Sequence, residues 1–437
     1  MKKRGEIMKK AIILGTIGLL ALITMAACGK GDSSKTKDGK TIVRVGTWEG
    51  DEAYQRHQEI AKAFMKENKD IEIKVESVPD QYGTKVLTQI AGGDAPDVFQ
   101  VGDGDVSMFK DKGAFEDLTS YIEGDDGINT DDFFEKILEI GNIDGKYYTL
   151  PKDYSTEAVY YNKDMFDEAG IDYPTDDWSW EQFEEMAKKL TVKNGDNYEQ
   201  WGVSLPGAEI RPILPFIYSR GGNVISEDGK QVEGVMNSKE TKEGLKFFNK
   251  LLNVDKVAPS SVDTDAFKGT DLFLSGKVAM NVTGVWPASN YAEDKMNFGV
   301  AKMPKGDKGQ FSTVYYSGYG IYSKSKQKEA AWKYLKYLST EAQETMAKEG
   351  AMTAYKPAVE TSNQEKDPNK AKFIESVADI KMFPERLNFN FRKTAGEELV
   401  NVLTDITTNG SSDIDIDKQL DEAALKGQEE LDKTSSR

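Results

Sequence analysis

From residue 41 onward, the pattern of hydrophobic and polar positions first predicts strands and helices in alternation. Strand segments show apolar residues at every second position, and helical segments show them three or four residues apart. The strands are predicted at residues 41–46, 71–75 and 96–101, and the helices at 52–68 and 82–91. Such a β-α-β-α-β unit implies parallel strands. Small ligands bind beyond the carboxyl ends of such strands, here near the loops 47–50 and 102–105.

The rest of the chain keeps a mixed α/β pattern. The dipeptide Asp144-Gly145 predicts a tight hairpin across residues 142–148. Further strands are predicted at 158–162, 278–282 and 298–301, and further helices at 180–190, 239–252, 326–348 and 396–404. Nearly four hundred residues follow residue 40, more than one hydrophobic core usually covers, so we expect two domains.

The N-terminal segment has the architecture of an export signal. Basic residues precede an apolar run from Ala11 to Ala27, which ends directly before Cys28, the only cysteine of the sequence. The segment 25–28 resembles the lipobox of bacterial lipoproteins, in which a cysteine carries diacylglycerol, although Met25 stands where leucine is usual. We expect residues 1–27 to be a signal peptide, with Met8 as an alternative start, and Cys28 to be lipidated. An uncleaved anchor helix is the alternative.

Charge and composition limit the classes of partner. Residues 28–40 are expected to be the lipidated cysteine and a flexible tether, because nothing apolar follows Cys28 before residue 41. Cleavage would remove five basic and one acidic side chain and shift the formal net charge from −17 to −21, which disfavours nucleic acid. The single histidine, His57, is expected on a solvated face of the first helix. No metal, cofactor or catalytic motif is recognised.

Five segments have the order and spacing of family landmarks. They are Gly92 to Val98 (GGDAPDV), Tyr160 to Phe166 (YYNKDMF), Thr175 to Phe183, Phe273 to Met280 (FLSGKVAM) and Gly284 to Trp286. Together they resemble the extracellular solute-binding proteins that serve carbohydrate ABC importers, a family that includes maltodextrin-binding proteins. The resemblance covers essentially the whole chain after the tether.

The resemblance implies an α/β, two-lobe periplasmic-binding-protein-like (type II) fold with hinge strands between the lobes. Lobe 1 would comprise residues 41–152 and 303–347, and lobe 2 would comprise 153–302 and 348–437. The hinge crossings would lie near residues 151–155 and 298–302 and after Lys348. The lobes would close around a ligand by a population shift. The protein would act as a monomer, anchored on the outer face of the cell membrane, and would deliver its ligand to ABC permease subunits.

The resemblance also implies the kind of binding site. A sugar offers hydroxyl groups and an apolar ring face, so its site needs aromatic platforms and polar partners. The resemblance assigns a stacking role to Trp286 and a polar contact to Asp103, and Trp48 and Glu49 follow the first strand. The other expected ligand-binding residues are Tyr154, Ser155, Arg211, Tyr315, Tyr316 and Arg386. Core packing of the aromatic residues and surface ion pairs of the arginines are the competing interpretations.

Two rival functions remain open from the sequence alone. An exported glycosidase would also need an acidic, aromatic cleft with two carboxylates. A protein of the same fold could instead bind a polyamine or another small solute, since Glu49, Asp103 and Asp153 could pair with ammonium groups. A phosphate ligand would require basic residues that the predicted loops lack.

Overall fold

The computed structural model describes residues 35–435, apart from residues 37, 196 and 349. The predicted signal peptide and Cys28 lie outside these described residues. The end of the predicted tether forms a turn, in which the amide of Gly39 donates to the carbonyl of Thr36 at 3.0 Å. Across the described part of the chain, no helix combines the length and the apolar character needed to cross a membrane.

Within the described residues, ten of the fourteen strands form two five-stranded sheets, and the other four form two-stranded pairs. Their bounds are β1 Thr41–Thr47, β2 Ile71–Ser77, β3 Val98–Gly102, β4 Asn142–Ile143, β5 Lys146–Tyr147, β6 Leu150–Thr156, β7 Ala158–Asn162, β8 Val192–Asn194, β9 Asn197–Ser204, β10 Val278–Thr283, β11 Phe298–Lys302, β12 Lys305–Gly306, β13 Gly309–Gln310 and β14 Val314–Ile321. The first sheet has the order β2-β1-β3-β14-β6, the second has the order β11-β7-β10-β9-β8, and the two-stranded pairs are β4-β5 and β12-β13.

Helices connect the strands and cover the sheets. Their bounds are α1 Asp51–Glu67, α2 Tyr82–Gly92, α3 Asp103–Asp111, α4 Thr119–Ile122, α5 Glu135–Leu138, α6 Lys163–Ala169, α7 Trp180–Leu190, α8 Ile210–Tyr218, α9 Lys239–Asn249, α10 Ser261–Ala266, α11 Ala288–Glu293, α12 Lys328–Ser339, α13 Glu341–Lys348, α14 Lys356–Thr361, α15 Pro368–Glu375, α16 Pro384–Leu387, α17 Ala395–Asn409 and α18 Ile416–Ser435.

The predicted β-α-β-α-β unit is confirmed. Strand β1 pairs in parallel with both β2 and β3, as helical crossovers require. Strand β3 begins at Val98, two residues later than predicted. Pro96 has no amide to donate, and the side chain of Asp97 instead accepts a hydrogen bond from the amide of Arg44 at 2.9 Å. The Asp144-Gly145 hairpin is also present, and both residues have positive φ, as its tight turn demands.

The predicted helix 326–348 is divided into α12 and α13. Thr340 separates them with φ −125° and ψ −88°, outside the helical region. Its hydroxyl donates to the carbonyl of Lys336 at 2.7 Å, which occupies one of the free carbonyls at the end of α12. The hydrophobic periodicity continued across this break, so it did not reveal the change in chain direction.

Three segments that pass between the two sheets meet at Ser312. Only Glu157 separates β6 of the first sheet from β7 of the second, and its amide donates to the Ser312 hydroxyl at 2.8 Å. The chain returns from β11 to β14 through Ser312 itself. The third passage runs beside it, because the Ser312 amide donates to the carbonyl of Asp379 at 3.2 Å and the Lys381 amide donates back to Ser312 at 3.3 Å.

These passages differ from the predicted lobe boundaries. Residues 153–156 were assigned to lobe 2, but they belong to β6 and pair with β14 of the first sheet. The segment from residue 348 was also assigned to lobe 2 as a whole. Its first part runs beside β6 of the first sheet, where the Tyr154 amide donates to the Met352 carbonyl at 3.1 Å. Helix α15 packs mainly against β11 of the second sheet, with the ring of Phe373 5.9 Å from that of Tyr160, and the part from Phe383 packs in the second core. Packing against a distant sheet decided this division, which local sequence patterns do not report.

Candidate functional site

A cavity of about 510 Å³ opens between the two sheets. Its walls come from the end of β1, one face of α1, strands β6 and β14, the loop after β10 and the segment after α13. The lining residues are Trp48, Glu49, Ala53, Arg56, His57, Ile60, Lys152, Asp153, Tyr154, Ser155, Val285, Trp286, Ser289, Tyr315, Tyr316, Ser317, Met346, Gly350, Ala351 and Met352. Seven of the ten predicted ligand-binding residues therefore lie together around one cavity.

The polar centre of this cavity is a cluster of Glu49, Lys152 and Asp153. The Lys152 ammonium group lies 2.8 Å from a Glu49 oxygen and 2.6 Å from an Asp153 oxygen. Burial favours the neutral form of Lys152, but the two carboxylates outweigh burial and raise its pKa. Burial likewise acts to raise the pKa of Glu49, but the charge and hydrogen bond of Lys152 bring it below the ordinary value. Lys152 and Glu49 are therefore both charged at neutral pH.

Two tryptophans lie at the cavity, and they differ in how far they are packed into the core. Trp286 is 55% exposed, an unusual value for so large an apolar side chain. Its ring meets that of Tyr315 edge to face, at 4.9 Å between centroids. Trp48 is packed against the first core, with its ring edge to face with Tyr82 at 5.5 Å. Trp286 thus offers an apolar face to the cavity without being required for core packing.

His57 was expected on a solvated face of α1, and that expectation is wrong. Its side chain is only 5% exposed, lines the cavity and lies 6.2 Å from the ring of Tyr319. Burial, together with the positive charge of Lys152, lowers its pKa to about 4, so it is neutral at pH 7. The helical spacing could have revealed this position, because His57 precedes the buried Ile60, Ala61 and Phe64 by three, four and seven residues.

Other predicted residues connect the two halves of the site. The Ser155 hydroxyl accepts a hydrogen bond from the Val285 amide at 2.9 Å, which joins β6 to the loop after β10. Tyr316 is buried, and its hydroxyl lies 3.0 Å from that of Thr149. Tyr154 is also buried, and within the described residues its hydroxyl has no hydrogen-bond partner. Both tyrosines therefore contribute to the core as well as to the cavity wall.

Asp103 and Arg211 lie outside the cavity lining and bind each other. Arg211, at the start of α8, places its guanidinium group 2.7 Å from the carboxylate of Asp103, at the start of α3. The guanidinium also donates to the Val314 carbonyl and lies over the rings of Tyr315 and Phe383, at 4.6 and 4.0 Å from their centroids. Asp103 follows a strand of the first sheet, whereas α8 packs in the second core. The pair thus holds the two halves together.

Arg386 lies at another contact between the halves and not at the cavity. Its guanidinium group donates to the carbonyl of Asn142, and burial lowers its pKa. The helix that carries it, α16, packs against α3, where the Ser107 hydroxyl donates to the Arg386 carbonyl at 3.3 Å. The structure therefore places Arg386 in an interdomain contact, away from the predicted ligand-binding residues of the cavity.

A buried carboxyl group occupies the first passage between the sheets. Glu157 is 1% exposed and accepts a hydrogen bond from the Thr313 hydroxyl at 2.9 Å. Burial raises its pKa to about 7, against the opposing effects of Thr313 and of the charge on Arg211. No sequence pattern pointed to this residue, because burial of a lone glutamate depends on how the passages pack together.

A smaller cavity of about 220 Å³ lies on the other side of Trp48. Gln100 and Asp105 supply its polar groups, and Tyr82 and Phe109 supply part of its apolar wall. Gln100 also reaches toward the larger cavity, because its amide nitrogen lies 3.4 Å from a Glu49 oxygen and 2.7 Å from the Ser317 hydroxyl. Trp48 thus separates two compartments that share one network of hydrogen bonds.

The site was only partly recognised from the sequence. Lys152, His57 and Gln100 were not predicted to take part, although Asp153 was considered as a partner for an ammonium ligand. Among the described residues, no group of three or more histidine, cysteine or acidic side chains could hold a metal ion. The two five-stranded sheets are joined by three passages, and an aromatic and polar cavity lies between them. This arrangement defines a two-lobed solute-binding protein of the type II periplasmic-binding-protein fold.

Comparison with known proteins agrees with this class. Residues 49–345 match the family model described as bacterial extracellular solute-binding protein, and the chain belongs to this family. A binding protein of Brucella abortus (strain 2308) is 29% identical over 336 residues, 75% of this chain and 76% of the relative. The maltodextrin-binding protein MdxE of Bacillus subtilis is 26% identical over 350 residues, 77% of this chain and 78% of the relative.

Solved structures share the fold over most of its length. An ABC substrate-binding protein of Listeria monocytogenes, in complex with cycloalternan, has a TM-score of 0.75 and 28% identity, and the match covers 90% of this chain and 98% of that one. The sugar-binding protein MalE of Xanthomonas citri has a TM-score of 0.78 at 20% identity, with 90% and 98% of the two chains covered. These similarities support the predicted fold class and the predicted family.

Proposed function

We propose that this protein is the substrate-binding lipoprotein of an ABC importer and captures an oligosaccharide in the cavity between its two sheets. The observation that carries this proposal is the combination of aromatic rings and balanced charges around one cavity. Its volume of about 510 Å³ lies within the range of roughly 300–1,000 Å³ that ligand sites occupy. Aromatic faces suit sugar rings, and fixed carboxylates suit hydroxyl groups.

The charges of the cavity favour a neutral ligand over a polyamine. Glu49 and Asp153 both contact the Lys152 ammonium group, and His57 is neutral at pH 7. Each carboxylate of the lining therefore already has a cationic partner. Asp103, which could have attracted an ammonium group, already pairs with Arg211. A polyamine would need uncompensated carboxylates, because desolvated ammonium groups are stable only beside opposite charge.

The names of relatives support a sugar ligand. One relative is the maltodextrin-binding protein of Bacillus subtilis, and another is the multiple sugar-binding protein of Streptococcus mutans, which is 25% identical over 355 residues. A structure at 28% identity is a complex with cycloalternan. These proteins share a class of ligand with each other, and we extend that class to this chain.

We propose that the ligand is bound and released unchanged. A glycosidase needs one carboxylic acid that stays protonated and one carboxylate on the other side of the glycosidic bond that is cleaved. In this cavity both carboxylates bind the same ammonium group, and Lys152 keeps the pKa of Glu49 low. Neither is therefore arranged as a proton donor. The proposed role is capture and delivery to the permease.

We further propose that the protein is a lipoprotein monomer, attached to the outer face of the cell membrane through Cys28. The apolar run that ends at the only cysteine supports this attachment. Two lobes, built around the first and second sheets, would close on the ligand about the passages at Glu157, Ser312 and Asp379. Mass spectrometry of protein extracted from membranes should find diacylglycerol on Cys28, and an unmodified N-terminal peptide that retains residues 1–27 would contradict the anchor.

A thermal-shift screen tests the ligand class. Maltose, maltotriose or mannotriose should raise the melting temperature, because a ligand that binds only the folded protein stabilises it by about 2.7 kcal/mol at 100 times its dissociation constant. Spermidine should give no shift, since each carboxylate of the cavity already has a cationic partner. A shift with spermidine and none with any sugar would overturn the sugar assignment.

Trp286→Ala should weaken binding of the sugar found in that screen by about 1–3 kcal/mol with little change in melting temperature. The side chain is largely exposed, so its removal opens no core cavity. Calorimetric titration measures the affinity, and Tyr173→Ala, which truncates a partly exposed aromatic away from the cavity, is the matched control. An unfolded Trp286→Ala protein, or one with unchanged affinity, would refute the stacking role.

A further inference from the structure

Lys152 lies behind the two carboxylates that reach the cavity. Its side chain is 10% exposed, compared with 21% for Glu49 and 29% for Asp153. The ammonium group contacts one oxygen of each carboxylate, at 2.8 and 2.6 Å. The carboxylates, and not the ammonium group, are thus the charged atoms of this cluster that a ligand meets first.

The arrangement leaves acceptor atoms for a ligand. Within the described residues, the hydrogen bonds to Glu49 end on Oε1 and the hydrogen bond to Asp153 ends on Oδ2. The second oxygen of each carboxylate can therefore accept a hydrogen bond from a hydroxyl group. The Gln100 amide nitrogen lies 3.4 Å from the same Glu49 oxygen as Lys152, so two donors hold that oxygen before the ligand arrives.

Lys152 also sets the charge of this part of the cavity. Two ionised carboxylates on neighbouring side chains repel each other and attract cations unless a positive group compensates them. The other cationic side chain of the lining, Arg56, lies on α1, and His57 beside it is neutral. Removal of the Lys152 charge therefore leaves Glu49 and Asp153 without the ammonium group that both contact.

Resting on the proposed function, we propose that Lys152 is the positioning residue that selects the class of ligand. It holds Glu49 and Asp153 as acceptors for the hydroxyl groups of a neutral sugar, and it cancels the charge that would otherwise recruit an amine. The same two carboxylates without Lys152 form a site for a cationic ligand. Specificity between sugar and polyamine thus depends on one buried ammonium group. This group repels a polyamine and orients the carboxylate acceptors for the hydroxyl groups of a sugar.

Calorimetric titration of the full chain with maltotriose and spermidine tests this role. Lys152→Met should weaken maltotriose binding about 10-fold or more, since hydrogen bonds from a charged group are lost. It should also bind spermidine about 10-fold more tightly than the unaltered protein does. Lys74→Met removes an equal charge on β2, away from the cavity, and should change neither affinity.

Two further variants keep the test decisive. Lys152→Gln removes the charge but keeps a hydrogen-bond donor, and it replaces Lys152→Met if that protein does not fold. Adding Glu49→Gln to either variant should abolish the gain in spermidine affinity. If the unaltered protein binds no sugar, the proposed function fails, and the spermidine titrations alone still decide the role of Lys152. A folded Lys152 variant with no gain for spermidine would overturn the inference.

Discussion

Replacing Glu157 by glutamine is expected to raise the free energy of unfolding by about 3 kcal/mol at pH 8, and by less than about 1 kcal/mol at pH 5. The buried carboxyl group has a pKa of about 7 in the folded protein, compared with an ordinary value of 4.5. Between these values the folded protein holds a proton that the unfolded chain has lost. The contribution of Glu157 to stability therefore falls as the pH rises through this window, and glutamine removes that penalty.

Chemical denaturation at pH 5 and pH 8 measures this difference. The glutamine oxygen can still accept from the Thr313 hydroxyl, so the substitution leaves that hydrogen bond in place. Glu67→Gln on the exposed end of α1 is the matched control, and its effect should be small at both pH values. A Glu157→Gln protein whose stabilisation is the same at the two pH values would show that the carboxyl group is not held protonated by burial.

Arg211→Met is expected to open the protein and to lower its affinity for sugar by about 100-fold. The substitution leaves the buried carboxylate of Asp103 without its partner, and breaking a buried ion pair costs about 3–5 kcal/mol. Separation of the two halves returns Asp103 to water and relieves most of that penalty. Closure on the ligand would then have to bury the unpaired charge again, so the affinity falls with the population of the closed state.

Small-angle scattering and calorimetric titration follow the two consequences. The radius of gyration of the ligand-free variant should increase, and the double variant with Asp103→Asn should recover part of the affinity. Lys242→Met breaks a surface ion pair with Asp421 inside one half and should leave the radius unchanged. An Arg211→Met protein with unchanged radius and affinity would rule out a closing role for the pair.

Local sequence patterns were sufficient to predict the first three strands of the first sheet and the helices between them. Strands β1 to β3 and helices α1 and α2 follow from side-chain periodicity, which depends on residues only a few positions apart. The same information located Trp286 and Trp48 in loops after strands. It did not locate the break at Thr340 or the burial of Glu157, because both depend on what packs against them.

The roles of the charged residues depend on contacts between residues that are far apart in the sequence, farther than any short motif extends. Lys152 and Glu49 are 103 positions apart, and Arg211 and Asp103 are 108 positions apart. The acidic residues Glu49, Asp103 and Asp153 all looked able to bind an ammonium ligand from the sequence. In the structure each already lies beside a basic side chain, which changes the expected ligand from a cation to a neutral molecule.

The sequence by itself determined the kind of fold, the family and the aromatic residues of the cavity, because periodicity and short motifs are properties of neighbouring residues. Only the tertiary structure decided which side chains compensate each other and where the chain passes between the sheets. Charge compensation is a short-range effect that acts between residues distant in sequence, so it exists only once the sheets have come together.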